Sequence, residues 1–196
     1  MGDCFEFLQN NTLSRAELST GAGIALNIHY GDVLIKFGEF LDTSSEQMSY
    51  ITDKSIVEKF KGSLLNDGDV IMADTAEDDA VGKCSEIAGL QGKAAISGLH
   101  TIPLRPVRQF ATGFLGYYMN SNTYHDQLLP LMQGIKVTSV SKNAIRNTVI
   151  SYPVDNAEQA AIGKYFIRID NLITLHQRNK SIFIHNISGL SERILL

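Results

Sequence analysis

Four carboxylates stand within six residues at Asp74-Thr75-Ala76-Glu77-Asp78-Asp79, the densest acidic cluster in the chain. Oxygen ligands at that density suit Mg²⁺ or Ca²⁺. The alternation and closing Glu of an EF-hand are missing, however, and no His lies nearby, so a solvated acidic turn is the plainer reading. His125-Asp126 is a dipeptide of metal phosphohydrolases, but the further His and Asp residues that such a site requires are not found, which leaves a polar pair on a helix face. A metal-dependent phosphohydrolase or nuclease built on Asp74, Glu77, Asp78, Asp79 and His125-Asp126 is therefore the enzyme alternative. Gly82-Lys83 lacks the upstream glycine and downstream hydroxyl of a phosphate-binding loop. Gly21-Ala22-Gly23 lacks the third glycine of a dinucleotide fingerprint, and both read as ordinary turns.

A different chemistry is offered by Gln133-Gly134-Ile135-Lys136-Val137-Thr138-Ser139-Val140-Ser141-Lys142. Ile135, Val137 and Val140 anchor a β-like segment, while Lys136, Thr138, Ser139, Ser141 and Lys142 offer charge and hydroxyl donors to phosphate oxygens. The same pattern fits an exposed hairpin with no ligand. Tyr117, Tyr118 and Tyr124 have the faces to stack on bases, although core packing with a wet hydroxyl is the commoner use.

The elements that would position these residues follow from the pattern of apolar and turn-forming residues. His29-Tyr30-Gly31-Asp32 predicts a turn launching a strand Val33-Leu34-Ile35-Lys36-Phe37, and Asn66-Asp67-Gly68-Asp69 predicts the same before Val70-Ile71-Met72-Ala73. Ala94 to Ile102 predicts a strand interrupted at Gly98 and ended by Pro103 and Pro106. From Phe110 to Met132 the periodicity is helical, with a break at Ser121-Asn122. A strand-like Val149 to Pro153 then leads into one long helix, opened by Asp155 with Glu158 three residues on, a carboxylate variant of the capping box.

That helix carries a seam. Heptad a positions fall on Ile162, Ile169, His176, Phe183 and Leu190, and d positions on Phe166, Ile173, Lys180, Ile187 and Ile194; eight of the ten are apolar. A spacing of 3.5 suits helix against helix, and His176 and Lys180 interrupt it in the way that sets register. At 1.5 Å per residue the helix reaches about 60 Å, too long to bury its seam on a small globule. The fold class expected is α+β: residues 1–154 form a mixed-strand domain with small helices, and residues 155–196 form the long helix.

Composition frames the function. The chain has 196 residues, 44% hydrophobic and 19% charged, enough for one sizeable core plus an appendage. Cys4 and Cys84 stand at unrelated spacings and read as free thiols of a reducing compartment. No apolar run reaches the ~18 residues of a membrane span, and the acidic N-terminus does not read as a signal peptide, so a cytoplasmic protein is expected. The net charge of −4 conceals a partition: residues 1–86 hold 16 acidic and 6 basic side chains, whereas 87–154 hold Asp126 alone against six basic ones. Those six, Lys93, Arg105, Arg108, Lys136, Lys142 and Arg146, suggest a surface for a polyanion.

The order of these features resembles a known family. A Gly-Asp-Val strand, Val81-Gly82-Lys83, Ser97-Gly98-Leu99-His100-Thr101, Gly134 to Lys142, Pro153, Glu158-Gln159 and a long helix through Leu172-Ile173 and Leu175-His176-Gln177-Arg178 together resemble the specificity subunits of type I restriction-modification systems. The resemblance implies a target recognition domain that reads a short half-site in double-stranded DNA. It also implies a helix that pairs with another to space two such domains. Its implied partners are a modification subunit that methylates adenine and a restriction subunit that cuts. A complete specificity subunit has two domains and two helices; this chain has one of each and reads as a half-subunit that dimerises, or as an excised half. No catalysis and no cofactor are expected of it, since the prolines at 103, 106, 130 and 153 are never adjacent and no Asn-Pro-Pro-aromatic motif exists. On this resemblance the DNA-facing residues expected are Lys93, Ser97, His100, Lys136, Thr138, Ser139, Ser141 and Lys142. The pairing residues expected are Ile162, Phe166, Ile169, Ile173, His176, Phe183 and Ile187. A third class, a coiled-coil adaptor that binds no nucleic acid, is compatible with the seam alone.

Overall fold

The computed structural model describes residues 1–194, and their side chains as far as Lys180. Strands are β1 Phe5–Phe7, β2 Ala25–Ile28, β3 Phe40–Asp42, β4 Ser49–Ile51, β5 Val70–Ala73, β6 Thr75–Ala76, β7 Cys84–Ala88, β8 Ala95–Ser97, β9 Thr101–Pro106 and β10 Thr138–Ser139. Helices are α1 Tyr30–Ile35, α2 Lys54–Lys59, α3 Phe114–Asn120, α4 Asn122–His125, α5 Lys142–Arg146 and α6 Asn156–Ile194. The class is α+β, as expected from sequence.

The central strand β5 shows how the core is built. All four of its residues are fully buried, because both faces of its sheet are covered. The two-residue period of a strand sends Val70 and Met72 into one apolar cluster, with Phe114, Leu115, Met119, Tyr124, Leu128 and Ile145. Ile71 and Ala73 enter the other, with Leu26, Ile28, Val33 and Phe37. The sheet runs β1-β9-β5-β7-β3, antiparallel except between β3 and β7. A second sheet, β4-β2-β8, has one parallel pair, and β6 pairs β10 as a two-stranded ribbon.

Three expectations are corrected and one, the helical span after Phe110, is refined. Val33 to Phe37 is no strand: His29 Nδ1 accepts the Gly31 N–H at 3.2 Å and opens α1. Spacing of i and i+4 then buries Val33 and Phe37 while Ile35 stays 87% exposed. Pro103 does not end β9 but lies within it, opposite Ile71. Its carbonyl accepts the Leu8 N–H on the β1 side, where β1 has already ended, so its missing N–H costs no ladder bond. Phe110 to Met132 divides into α3, α4 and a 3-10 turn. Val149 to Pro153 pairs with no strand, because side chains take its amides: Gln127 Oε1 accepts from Val149 and the Tyr118 hydroxyl from Ser151.

The seating of α6 rests on close backbone approach. Asp155 Oδ1 accepts the Ala157 N–H and starts the helix where the sequence places it. Gln159, wholly buried, donates to Pro153 O and accepts from Ala111 N. One turn on, Gly163 lies against the start of α3: a Cβ there would stand 2.6 Å from Thr112 O and 3.1 Å from Phe114 N. Tyr117 stacks on Phe166 at 5.1 Å and donates to Asp170 at 2.5 Å. Beneath α3, Glu86 of β7 accepts from Gly113 N at 2.6 Å and Gly116 N at 3.0 Å, a buried carboxylate at a helix N-terminus. Ile162 packs against the first core cluster, so the first part of the seam seats on its own domain. From residue 171 to 180 every side chain is exposed, while Phe183 and Ile187 lie outside the residues whose side chains are described.

Two predictions follow from this seating. Replacing Gly163 by Ala ordinarily strengthens a helix by up to ~1 kcal/mol. Here the methyl meets backbone that cannot yield, so Gly163→Ala costs about 1–3 kcal/mol in urea unfolding; a gain would show that α6 does not sit on α3. Burial, opposed by its backbone hydrogen bonds, raises the Glu86 pKa. Its contribution to stability is thus full below the ordinary carboxylate value and is lost as pH rises through the raised one. Unfolding measured at increasing pH from 4 upward should show wild type losing stability relative to Glu86→Gln.

Candidate nucleic-acid interface

The site is built around the turn between β8 and β9. His100 there has φ 54, a left-handed conformation that costs a non-glycine residue about 1–2 kcal/mol. Surrounding hydrogen bonds over-determine it. Gly98 N donates to Ile28 O at 2.8 Å, Tyr30 N to Leu99 O at 3.3 Å and Asp74 N to His100 O at 3.1 Å. Under the turn, the Ser97 and Thr101 hydroxyls lie 2.6 Å apart and Thr101 donates to Gly98 O. Asn11 Nδ2 reaches Ser97 O at 3.0 Å and Asn27 Oδ1 at 2.7 Å.

The His100 ring, about half exposed, faces Asp74 Oδ1 at 3.3 Å and Thr75 Oγ1 at 3.5 Å and meets Tyr30 edge-on at 5.2 Å. The β6-β10 ribbon sets Ser139 opposite Thr75. Asp74, Thr75, His100, Gln133, Ser139 and Ser141 consequently line one cleft of roughly 290 Å³. Its walls offer hydroxyls and an amide that both donate and accept, a carboxylate that accepts, and an imidazole. That set matches the hydrogen-bonding edges of bases better than a row of phosphates.

Of the residues singled out from sequence, His100, Ser139 and Ser141 are brought together. Thr138 is turned away, its hydroxyl donating to Ala76 O and Asp78 O. Ser141 also caps α5 by accepting the Ala144 N–H. Lys136 is exposed near the tip of a hairpin closed by two Gln133–Ser139 backbone bonds. Ser97 is wholly buried and cannot face a ligand; it supports the turn that carries His100. Lys93 is exposed but lies at the far end of β8. Lys142 points inward to Leu8 O at 3.1 Å and Asn10 Oδ1 at 3.4 Å, and burial lowers its pKa.

The basic span read from sequence is not a basic surface. Arg105 grips the buried Asp69 at 2.7 Å, Arg108 bonds Tyr152, and Arg146 lies over the Phe7 ring at 4.2 Å. The ribbon also brings the acidic loop beside Lys136's hairpin, for Glu77, Asp78 and Val137 line one groove. Nor do the enzyme alternative's residues converge: among the described residues no three His, Cys, Asp or Glu side chains group as metal ligands. His125 Nε2 contacts Val81 O at 2.7 Å. Tyr124 is buried and Tyr118 stacks on Phe114, so these rings belong to the core.

Sequence reasoning missed Tyr30, which it assigned to a turn, and Arg15, which binds Asp32 at 2.8 Å from the polar loop between β1 and β2. Only the density of polar residues from Gln9 to Ser14 hinted at that loop. His29 caps α1, its pKa lowered chiefly by burial and then by Arg15's charge.

No protein-family model and no curated protein matches the chain. Solved structures do. The S subunit of a type I restriction-modification system from M. genitalium aligns with TM-score 0.54 at 13% identity, covering 92% of this chain and 41% of that one. A chain from a study of complex assembly and conformational transition in the type I R-M system gives TM-score 0.56 at 16% identity over 92% and 39%. The HsdS subunit of Thermoanaerobacter tengcongensis gives 0.51 at 17% over 90% and 38%. The fold is that of these solved specificity subunits, over about nine tenths of this chain. The chain spans about two fifths of the length of these structures. Among the described residues no helix is long and apolar enough to cross a membrane.

The strain at His100 is testable. Glycine removes the left-handed penalty but adds chain entropy of about 0.5–1 kcal/mol. His100→Gly should therefore leave the unfolding free energy within about 1 kcal/mol of wild type, whereas β-branched His100→Val should lower it by more than 1 kcal/mol. Equal stabilities in the two variants would mean the turn is not held as described.

Proposed function

We propose that this chain is the DNA-recognition half of a type I specificity subunit. In this reading residues 1–154 read one half-site and residues 155–196 space and pair two copies. The modification subunit docks on the assembly and methylates adenine, the restriction subunit cuts, and the chain itself carries no catalysis. The observation that carries the proposal is its likeness to solved S subunits over nine tenths of its length.

The cleft supports base reading over phosphate binding, because its polar groups are positioned while most nearby cations already have internal partners. His100, Ser139 and Ser141 face the half-site from the cleft, with Lys136 reaching a phosphate and Lys93 lying farther out. Thr138, Ser97 and Lys142 brace these elements from behind. A net charge of −4 suits a subunit whose partners make much of the phosphate contact.

Purified with its modification subunit, the chain should bind duplex DNA and direct methylation to one symmetric two-part sequence. Lys136→Ala should weaken binding to all sequences alike and reduce the salt slope by about one. Absence of any DNA binding by that complex would favour the adaptor reading. Pairing is separately testable: Ile173 is 50% exposed, so Ile173→Asp should convert dimer to monomer in sedimentation without lowering the melting temperature. A wild-type chain that sediments only as monomer at micromolar concentration rules out self-pairing.

A further inference from the structure

We propose that Arg15 reads a guanine of the half-site, an inference that rests on the DNA-recognition reading above. Arg15 lies in the 3-10 turn Arg15–Glu17, and its side chain is 50% exposed while that of its partner Asp32 is 12% exposed. Only one of its nitrogens is engaged: Nη1 donates to Asp32 Oδ1 at 2.9 Å and to Oδ2 at 2.8 Å. Among the described residues no hydrogen bond takes Nε or Nη2. Those two donors form the side-on fork of a guanidinium, whose parallel N–H groups match the O6 and N7 acceptors of guanine in the major groove. Adenine sets an amino donor at the O6 position and clashes with one prong.

A phosphate also accepts such a fork, and the surroundings decide against it. Asp32 neutralises the guanidinium, which weakens its pull on an anion and leaves its directional donors intact. Asp74 and the acidic loop after β6 add repulsion toward a phosphate and none toward a neutral base edge. The grip of Asp32 also fixes the arginine before binding, so little rotamer freedom remains to be lost on contact. Asp32 itself lies in the first turn of α1, whose first residue Tyr30 meets the His100 ring edge-on. Arg15 does not line the cleft that holds His100; it is joined to it through Asp32 and α1.

The test uses the complex with its modification subunit and duplexes in which each position of the mapped half-site is varied. Wild type should prefer guanine over adenine at one position by roughly 10- to 100-fold. Replacing that guanine by 7-deazaguanine, which lacks only the N7 acceptor, should cost wild type about 10-fold and cost Arg15→Ala nothing. Arg15→Ala should lose the preference there and keep it elsewhere; Asp32→Asn, which loosens the grip on Nη1 that fixes the arginine, should weaken that preference. An even loss across all sequences in Arg15→Ala overturns the proposal in favour of a phosphate contact. Loss of preference everywhere with a lowered melting temperature overturns it in favour of a bracing role. If no guanine in the wild-type half-site responds to 7-deazaguanine, the proposal falls without recourse to any variant. Sequence-independent binding by wild type removes the DNA-recognition reading itself, a different result from a wild type that is selective but indifferent to N7.

Discussion

The angle at which α6 leaves the body of the fold is set where Gly163 rests on the first turn of α3. Backbone meets backbone there, so the contact has no side-chain torsions through which to relax. Beneath it, Glu86 holds the α3 N-terminus through Gly113 and Gly116. A carboxylate taken out of water is costly, and here amide donors and the end of a helix offset only part of that cost, so burial still raises its pKa. If the carboxylate were lost, two buried N–H groups would lack partners, each worth about 1–3 kcal/mol. The same residue belongs to β7, which lies between β5 and β3 in the main sheet. Sheet, helix and rod are thus one chain of short contacts, which sets where the cleft lies relative to the rod.

A polar cleft on a nearly neutral surface gives a different recognition logic from a basic patch. Charge along the sequence separates an acidic first part from a basic second part, yet the fold interleaves them. Asp69 pairs with Arg105 across β5 and β9, and the acidic loop after β6 lies beside the β10 hairpin. Long-range attraction to a polyanion is correspondingly weak, whereas short directional hydrogen bonds from His100, Asp74, Thr75 and the serines are unaffected by that cancellation. Affinity and selectivity are in this way assigned to different groups, and in the proposed assembly to different subunits.

How much of this was legible in the sequence depended on whether the signal was local. The turn at Asn66 to Asp69, the break at Gly98, the division at Ser121 and the start of α6 at Asp155 were all readable, because capping and turn chemistry act over a few residues. The α1 segment was misread because Val33 and Ile35 favour a strand, and only the His29 cap with the distant cores against Val33 and Phe37 decides for helix. Lys142 and Ser97 were read as ligand-facing because polar residues in a strand-and-loop pattern default to the surface. Their burial follows from Asn10, Asn11 and Thr101, partners that sequence spacing does not reveal. Arg15 was invisible for the converse reason, a lone cation in an acidic stretch whose role appears only once Asp32 is beside it.

The rod itself was legible as a rod but not in its division of labour. At 100° per residue, Gln159, Gly163, Phe166, Ile167 and Asp170 fall on one side of α6, the side that meets α3. Beyond Asp170 the apolar residues Leu172 and Leu175, exposed by 66% and 55%, lie around the opposite side, while Ile173, 50% exposed, continues the line of Phe166. Together with Ile169 and His176 they span an arc of about 160°, much broader than the narrow stripe of a two-stranded coiled coil. An arc of that width is covered by two neighbouring helices more readily than by one. In the proposed assembly the second part of α6 therefore suits a bundle, in which a partner subunit's helix lies beside the paired copy. Most of the arc faces away from α3, and only its Ile173 edge continues the line of Phe166 that seats the rod.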